Sequence, residues 1–450
     1  MYSIRLEGVS NKYEYEELIK VFLKPNEFSI ELLQDSHEEC IASEDEEDRK
    51  RQKDHIKREI YAELSALTGK VPDWGILTGV RPVKLAGELI DKIGAEAAER
   101  KLTEHYLLSR EKANLLIDIY LYQRRLLDSN PQDVGIYIGI PFCPTRCLYC
   151  SFTSNQASES EIAAYLEALH KEMSYVSKAL KEKGLKAESI YIGGGTPTTL
   201  DASQIRQLLE RVANSFDLTS LREFTMEAGR PDTISKEKLE AMACCGVDRI
   251  SINPQSMNRS TLELIGRSHD AEDVFKAFDL ASGYDFIINS DIIAGLPGES
   301  PGDFDHTLDT VIKLGAQNIT VHTLAVKRAS RLKEQDSEYH YKQGEAVNRM
   351  LRGSADVLKR SGYRPYYLYR QKHMAGALEN VGYCKDDAAC VYNIRIMEER
   401  QSIIAMGAGA ISKVYYPLEN RHERVANVSN YRQYIDRLDE MIERKRKELF

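Results

Sequence analysis

Pro141-Phe142-Cys143-Pro144-Thr145-Arg146-Cys147-Leu148-Tyr149-Cys150 follows directly on the apolar, β-branched run Val134-Gly135-Ile136-Tyr137-Ile138-Gly139-Ile140. The run reads as a buried strand, so the CxxxCxxC loop is its exit turn. Three thiolates around a small volume suit an iron–sulfur cluster, whose cubane form normally takes four. An iron left without a protein ligand keeps the open position that reactive metal chemistry needs. A structural zinc site wants four nitrogen or sulfur ligands, often from a second paired motif. No histidine lies between Pro131 and Leu169, and no second CxxC occurs in the chain. A thioredoxin-like pair fits poorly, because a third cysteine stands just ahead of it.

Working outward, Ser189-Ile190-Tyr191-Ile192 is a second strand candidate, and Gly193-Gly194-Gly195-Thr196-Pro197-Thr198 follows it. Glycines at a strand exit let a ligand approach the backbone with no Cβ in the way. Further strand candidates fall at 223–226, 249–252, 287–293 and 318–324. Helical patterns separate them, at 159–183, 203–216, 235–245, 271–282 and 302–314. Repeated strand–helix units predict parallel strands with right-handed crossovers. Six such units suit an incomplete β/α barrel, with its chemistry at the C-terminal ends of the strands. The cysteine loop and the glycine run then share one rim. Glu227, closing a strand, and Asp291, inside an apolar run, are carboxylates that burial would penalise unless they were used or paired.

These residues resemble the radical S-adenosylmethionine (SAM) enzymes, specifically the oxygen-independent coproporphyrinogen III dehydrogenase group. The resemblance rests on the strand and cysteine loop, on Gly193 to Thr198, and on Asp291-Ile292-Ile293-Ala294-Gly295-Leu296-Pro297-Gly298. It runs from about Val134 to Lys413. Tyr366-Tyr367-Leu368-Tyr369-Arg370-Gln371-Lys372, Leu378 to Tyr383 and Gly407 to Ser412 are similar to the HemZ-type branch. The resemblance implies an α/β radical SAM partial barrel, (β/α)6, with an N-terminal α/β accessory domain over 1–130. The barrel would span 131–328, and a C-terminal α+β closing domain 329–450.

It also implies a [4Fe-4S] cluster on Cys143, Cys147 and Cys150, with SAM chelating the open iron. The positions matching the family's SAM contacts are Tyr137, Tyr149, Gly194, Gly195, Thr196, Glu227, Gln255, Arg267, Asp291, Ala325 and Ile411. The implied reaction is decarboxylation of coproporphyrinogen III to protoporphyrinogen IX by a 5′-deoxyadenosyl radical, in heme biosynthesis. A flavodoxin or ferredoxin would supply electrons. Lys327, Arg328, Arg331 and Arg370 are candidates to pair with the substrate's carboxylates. One position departs from the pattern: decarboxylating members carry a fourth cysteine where this chain has Phe152. The related heme-chaperone branch carries phenylalanine there. Its His-Asn-x-x-Tyr-Trp heme motif is replaced here by Glu379-Asn380-Val381-Gly382-Tyr383-Cys384. A heme carrier, or another radical reaction on a tetrapyrrole, is therefore the alternative.

Bulk properties agree with a reduced, cytosolic, soluble protein. A net charge of −9 argues against nucleic-acid binding by broad attraction. No apolar run approaches the ~20 residues of a membrane span, and the N-terminus lacks a signal-peptide pattern. Eight cysteines, three of them clustered, do not form a secreted disulfide framework. Cys40, Cys244, Cys245, Cys384 and Cys390 read as structural thiols, the last two placed where they could touch cluster or substrate. In the first 130 residues, Glu44-Asp45-Glu46-Glu47-Asp48 before Arg49-Lys50-Arg51 reads as a helix start. Trp74 sits in a Gly/Pro-punctuated loop, helical patterns run from about Ala86 to Leu127, and no chemistry declares itself. Beyond the barrel the sequence predicts a helix over 335–361, a tyrosine-rich strand over 363–369 and a charged helix from Tyr431.

Overall fold

The computed structural model describes residues 1–7, 9, 11–33, 46–126, 128, 130–152, 154–327, 330–336, 338–372 and 374–450. Cys40, Arg328 and the Glu44-Asp45 start of the acidic run lie outside them. The first two strands, β1 (Tyr2–Glu7) and β2 (Phe28–Leu33), pair in parallel around the helix Tyr13–Phe22. Helices then occupy Glu46–Thr68, Pro82–Ile93, Ala95–Arg100 and Arg110–Leu126, with one π-helical turn at Lys101–His105. The helical patterns expected over 86–127 fall in these last helices. Gly94, at φ 81°, ends one helix and turns the chain into the next.

Six parallel strands follow at the expected places: β3 (Asp133–Ile140), β4 (Lys186–Gly194), β5 (Glu223–Glu227), β6 (Arg249–Ser251), β7 (Ile287–Ala294) and β8 (Asn318–Thr323). The helices between them begin on legible signals. Ser158/Glu161, Asp201/Gln204, Asp270/Asp273 and Ser300/Asp303 each form a reciprocal capping box. Strand alternation divides the sheet into two faces. Ile136, Ile138, Ile190, Ile192, Phe224, Met226, Ile250, Ile319 and Val321 are buried in one core. The register puts Tyr137 beside Tyr191, Tyr191 beside Thr225, Ser251 beside Asn289, and Asp291 beside Thr320 on the opposite face. A fully buried parallel sheet reads apolar on both faces. This one keeps a polar, concave face.

The remaining strands, β9 (Arg364–Tyr369), β10 (Asn380–Cys384), β11 (Ile403–Met406), β12 (Ile411–Tyr416) and β13 (Arg421–Ala426), extend that sheet from both edges. The order is β13-β12-β11-β3-β4-β5-β6-β7-β8-β10-β9, an open eleven-stranded sheet. Strand β11 pairs with β3 in parallel, making a seventh parallel strand, while β10 runs antiparallel to β8. The helix Val391–Glu398 closes the N-terminal end of the barrel: its first amides donate to Glu223, which also pairs with Arg249 at 3.2 Å. The helix expected over 335–361 is broken into Arg331–Gln335, Tyr339–Lys342 and Gly344–Arg360, the last starting at a glycine. Tyr366 and Tyr367 are packed inside, as β-edge tyrosines usually are. No helix among the described residues is long and apolar enough to cross a membrane.

Candidate active site

The cysteine loop is fastened at both ends by backbone bonds. The Cys143 amide donates to the Asn155 carbonyl at 2.9 Å, the Leu148 amide to Ile265 at 2.9 Å, and the Cys150 amide to Cys147 at 3.2 Å. The β4 exit turn grips it from the side, with the Gly195 amide on the Ile140 carbonyl at 2.8 Å and the Thr196 amide on Phe142 at 2.7 Å. The Thr196 hydroxyl donates to Cys143 Sγ at 3.4 Å. A Cβ on Gly195 would sit 2.5 Å from the Phe142 carbonyl oxygen and 3.0 Å from Cys143 Sγ, so this approach requires glycine.

Burial pushes the Cys143 thiol up, opposed by hydrogen bonds with Thr196 and Ser154, while Cys150 and Cys147 add to the rise. A cationic centre beside Cys143 would favour its thiolate. Among the described residues no three His, Cys, Asp or Glu side chains converge on a single ion. A cubane cluster takes one thiolate per iron, so its ligands need not meet at one point.

From the loop the site continues along the concave face. Glu227 accepts from the Tyr191 hydroxyl at 2.7 Å and from the Gly194 amide at 3.2 Å. Burial pushes its pKa up to about 7, and Asp291 adds to the rise against those two hydrogen bonds. Asp291 behaves oppositely. Burial works to protonate it, but His322, 3.6 Å away, and the Asn289 amide at 2.9 Å hold its pKa below the usual value. Two carboxylates on one face are thereby driven apart in protonation state, which allows one to donate and the other only to accept.

Gln255 holds a left-handed backbone conformation (φ 65°), bridging the Asp291 carbonyl and the Ile293 amide at 3.0 Å each. Arg267 donates to the Asn253 carbonyl at 2.7 Å and to the Tyr149 hydroxyl at 3.3 Å. Gln255 Oε1 and Arg267 Nε are buried without a protein partner. Such orphans cost about 1–3 kcal/mol each unless something else satisfies them.

The rim therefore joins Cys143, Thr196, Gly195, Gly194 and Glu227 in one network, Tyr149 with Arg267 in a second, and Gln255 with Asp291 in a third. Tyr137 lies on the same face, its ring 6.3 Å from Tyr191 and 6.1 Å from Tyr392. Ala325 forms an isolated bridge with Met374, and Ile411 opens β12 half-exposed; neither brings a polar side chain. Three thiols, a glycine cradle and two orphaned polar atoms fit a cluster together with a ligand bearing amino, carboxylate and hydroxyl groups.

Three expectations change. Arg370 is no mouth residue: it is buried, donates to the Leu77 and Ala377 carbonyls at 2.5 and 2.6 Å, and lies 4.7 Å over the Trp74 ring. Cys390 donates to Glu223 at 3.1 Å, at the closed end of the barrel, and Cys384 sits 3.7 Å from the Tyr122 hydroxyl. Neither meets the cysteine loop. Sequence reasoning missed Tyr191, which sits two residues before Gly193 and thus on its face, and His322, a polar break in β8. By contrast, Lys327 does stand at the loop, with its ammonium 5.4 Å over the ring of Phe152, which is 65% exposed.

Comparison with known proteins follows the same lines. Residues 137–311 match the family model of the Radical SAM superfamily. The chain is 41% identical to the oxygen-independent coproporphyrinogen-III oxidase-like protein HemZ of Bacillus subtilis, across 86% of this chain and 79% of that one. It is 37% identical to the heme chaperone HemW of the same organism, but across only 42% of this chain and 50% of the other. Among solved structures, the coproporphyrinogen III oxidase HemN of Escherichia coli superposes with a TM-score of 0.55. That match covers 72% of this chain and 73% of HemN at 21% identity, a likeness of fold.

Proposed function

Because the chain belongs to the radical SAM superfamily, in its HemZ-like group, and uses that superfamily's [4Fe-4S] cluster and SAM, we propose that it oxidatively decarboxylates coproporphyrinogen III. When bound, cluster and SAM supply the hydrogen-abstracting chemistry. Each reacting propionate loses one β-hydrogen, carbon dioxide and one electron to an external acceptor, leaving a vinyl group. A flavodoxin- or ferredoxin-class protein reduces the cluster.

In this reading Cys143, Cys147 and Cys150 hold the cluster. The backbone of Gly194 and Gly195, with Thr196, Glu227, Gln255, Arg267 and Asp291, orients SAM. Tyr137, Tyr149, Ala325 and Ile411 line it. Arg267 would meet its carboxylate, the ionised Asp291 would accept from its amino or hydroxyl groups, and Glu227 in its protonated form would donate to one of its oxygens. Residues 131–328 carry this machinery apart from Ile411, which the closing segment 329–450 brings, with 1–130 as accessory.

The observation that carries the substrate reading is Lys327. It is largely buried, which pushes its pKa down against the opposing effect of Cys150, and no carboxylate among the described residues pairs with it. An ammonium held so beside the cysteine loop awaits an anion, and a propionate has the right charge and reach. Phe152 offers a flat ring beneath.

The heme-carrier reading is supported by Phe152 and by the partial similarity to HemW. The place of the chaperone's heme motif is unavailable to a ligand: Glu379 holds Lys112 at 2.6 Å and Trp74 at 2.7 Å, and Asn380 accepts from the Thr323 amide at 2.8 Å, all buried.

The test is anoxic reconstitution followed by incubation with coproporphyrinogen III, SAM and dithionite. Vinyl-bearing product and 5′-deoxyadenosine are expected, and Lys327→Gln should raise the KM for the tetrapyrrole at least tenfold while SAM affinity stays unchanged. Stoichiometric heme binding without product would replace this reading with the carrier.

A further inference from the structure

A second site lies away from the cysteine loop, near the N-terminal end of β11. A cavity of about 90 Å³ opens there between the helices Pro82–Ile93 and Arg110–Leu126 and the segment leading into β11. Its wall carries five cationic side chains, Arg81, Lys84, Arg124, Arg395 and Arg400, against one carboxylate, Glu398. Arg395 is already matched, by Glu188 at 2.7 Å and Glu398 at 2.7 Å. Arg124 and Arg400 share Asp91, at 3.1 and 3.6 Å.

Arg81 pairs with Glu399, but Glu399 also serves Lys413 at 3.2 Å and stands 3.7 Å from both Arg424 and His422. Lys84 has no ion pair within 4 Å among the described residues; Glu88, one turn on, is the acid that attracts it. Positive charge is in excess, and the neighbouring groups register it. Burial first, then Arg81 and Arg400, push the Lys84 pKa down against Glu88. Burial, Arg81 and Arg424 bring Lys413 to about 8. Burial, Lys84, Arg81, Lys413 and Arg424 bring His422 to about 4.

We propose that this cavity binds a phosphate-class dianion, either free phosphate or the phosphoryl group of a larger ligand, held by Arg81, Lys84 and Arg400. The cavity has room for several water-sized groups, enough for one tetrahedral oxyanion. Guanidinium forks match phosphate oxygens in pairs, and Lys84 supplies the point charge. A single carboxylate would leave positive charge uncompensated, which is why the dianion is favoured. Arg81 and Lys84 belong to the N-terminal helices and Arg400 to the C-terminal segment, so the bound anion also fastens one to the other. This proposal is independent of the radical reaction.

The test is thermal unfolding and calorimetric titration of the full chain in inorganic phosphate, with ionic strength held constant by sodium chloride. Saturating phosphate should raise Tm by several degrees, as ligand linkage requires, whereas succinate at equal ionic strength should not. Lys84→Gln, which breaks no ion pair, should keep the parental Tm without phosphate and weaken phosphate binding at least tenfold. Arg400→Gln gives up its contact with Asp91 and is compared with its own phosphate-free Tm; it should also weaken phosphate binding at least tenfold, giving a second route if one variant misfolds. A comparable shift with AMP supports the phosphoryl-ligand source; a shift with inorganic phosphate alone supports the free ion. Equal shifts in chloride or succinate, or unchanged phosphate affinity in both variants, would overturn the proposal.

Discussion

Glu227 shows how one side chain ties the site to the stability of the chain. In the fold it keeps its proton up to about pH 7, whereas the unfolded carboxyl releases it near 4.5. Between those values the folded state binds more protons, so stability falls as pH rises through the window. The size is of order 1–3 kcal/mol. Urea denaturation of the metal-free protein from pH 4.5 to 8 should therefore show a decline that Glu227→Gln removes. At Cys147 the expected readout is colour: anoxically reconstituted Cys147→Ala should lose the brown absorbance and most of the bound iron. The thiols and the rim carboxylates were legible because each is a chemical exception within an apolar run. Arg370 was misread for the converse reason. A sequence displays a charge but hides the carbonyls that satisfy it, here those of Leu77 and Ala377.

At the scale of elements, the β4 exit turn tolerates little change. Any Cβ at Gly195 meets backbone at the Phe142 carbonyl, which cannot rotate away as a side chain would. Gly195→Ala should leave far-ultraviolet circular dichroism unchanged and lower the midpoint of unfolding modestly. It should also cut iron incorporation by at least half, because the cysteine loop must shift. Strands β3 to β8 lie within a few residues of their expected positions, since apolar runs and capping boxes are local signals. What stayed hidden is non-local. Nothing near Ile403 announces that it will pair beside Gly135, and nothing near Tyr392 announces a ring 4.5 Å from Tyr191.

Across the whole molecule, buried polar contacts join distant segments. Lys112 and Trp74, from the N-terminal helices and loop, both end on Glu379 ahead of β10, with Lys112 and Glu379 almost fully buried. Glu379→Ala strands that ammonium, an effect of about 3–5 kcal/mol. Chemical denaturation should register this loss, and the paired change Lys112→Met with Glu379→Leu should recover most of it. At the other end of the chain Lys445 reaches Glu172 at 3.0 Å with both side chains inaccessible. The parallel pairing of β11 with β3 also bears on biosynthesis. Until the ribosome has released residues 403–406, the strand that leads into the thiols has a bare flank, and a chain truncated before Ile403 should retain less iron on anoxic reconstitution than the full chain.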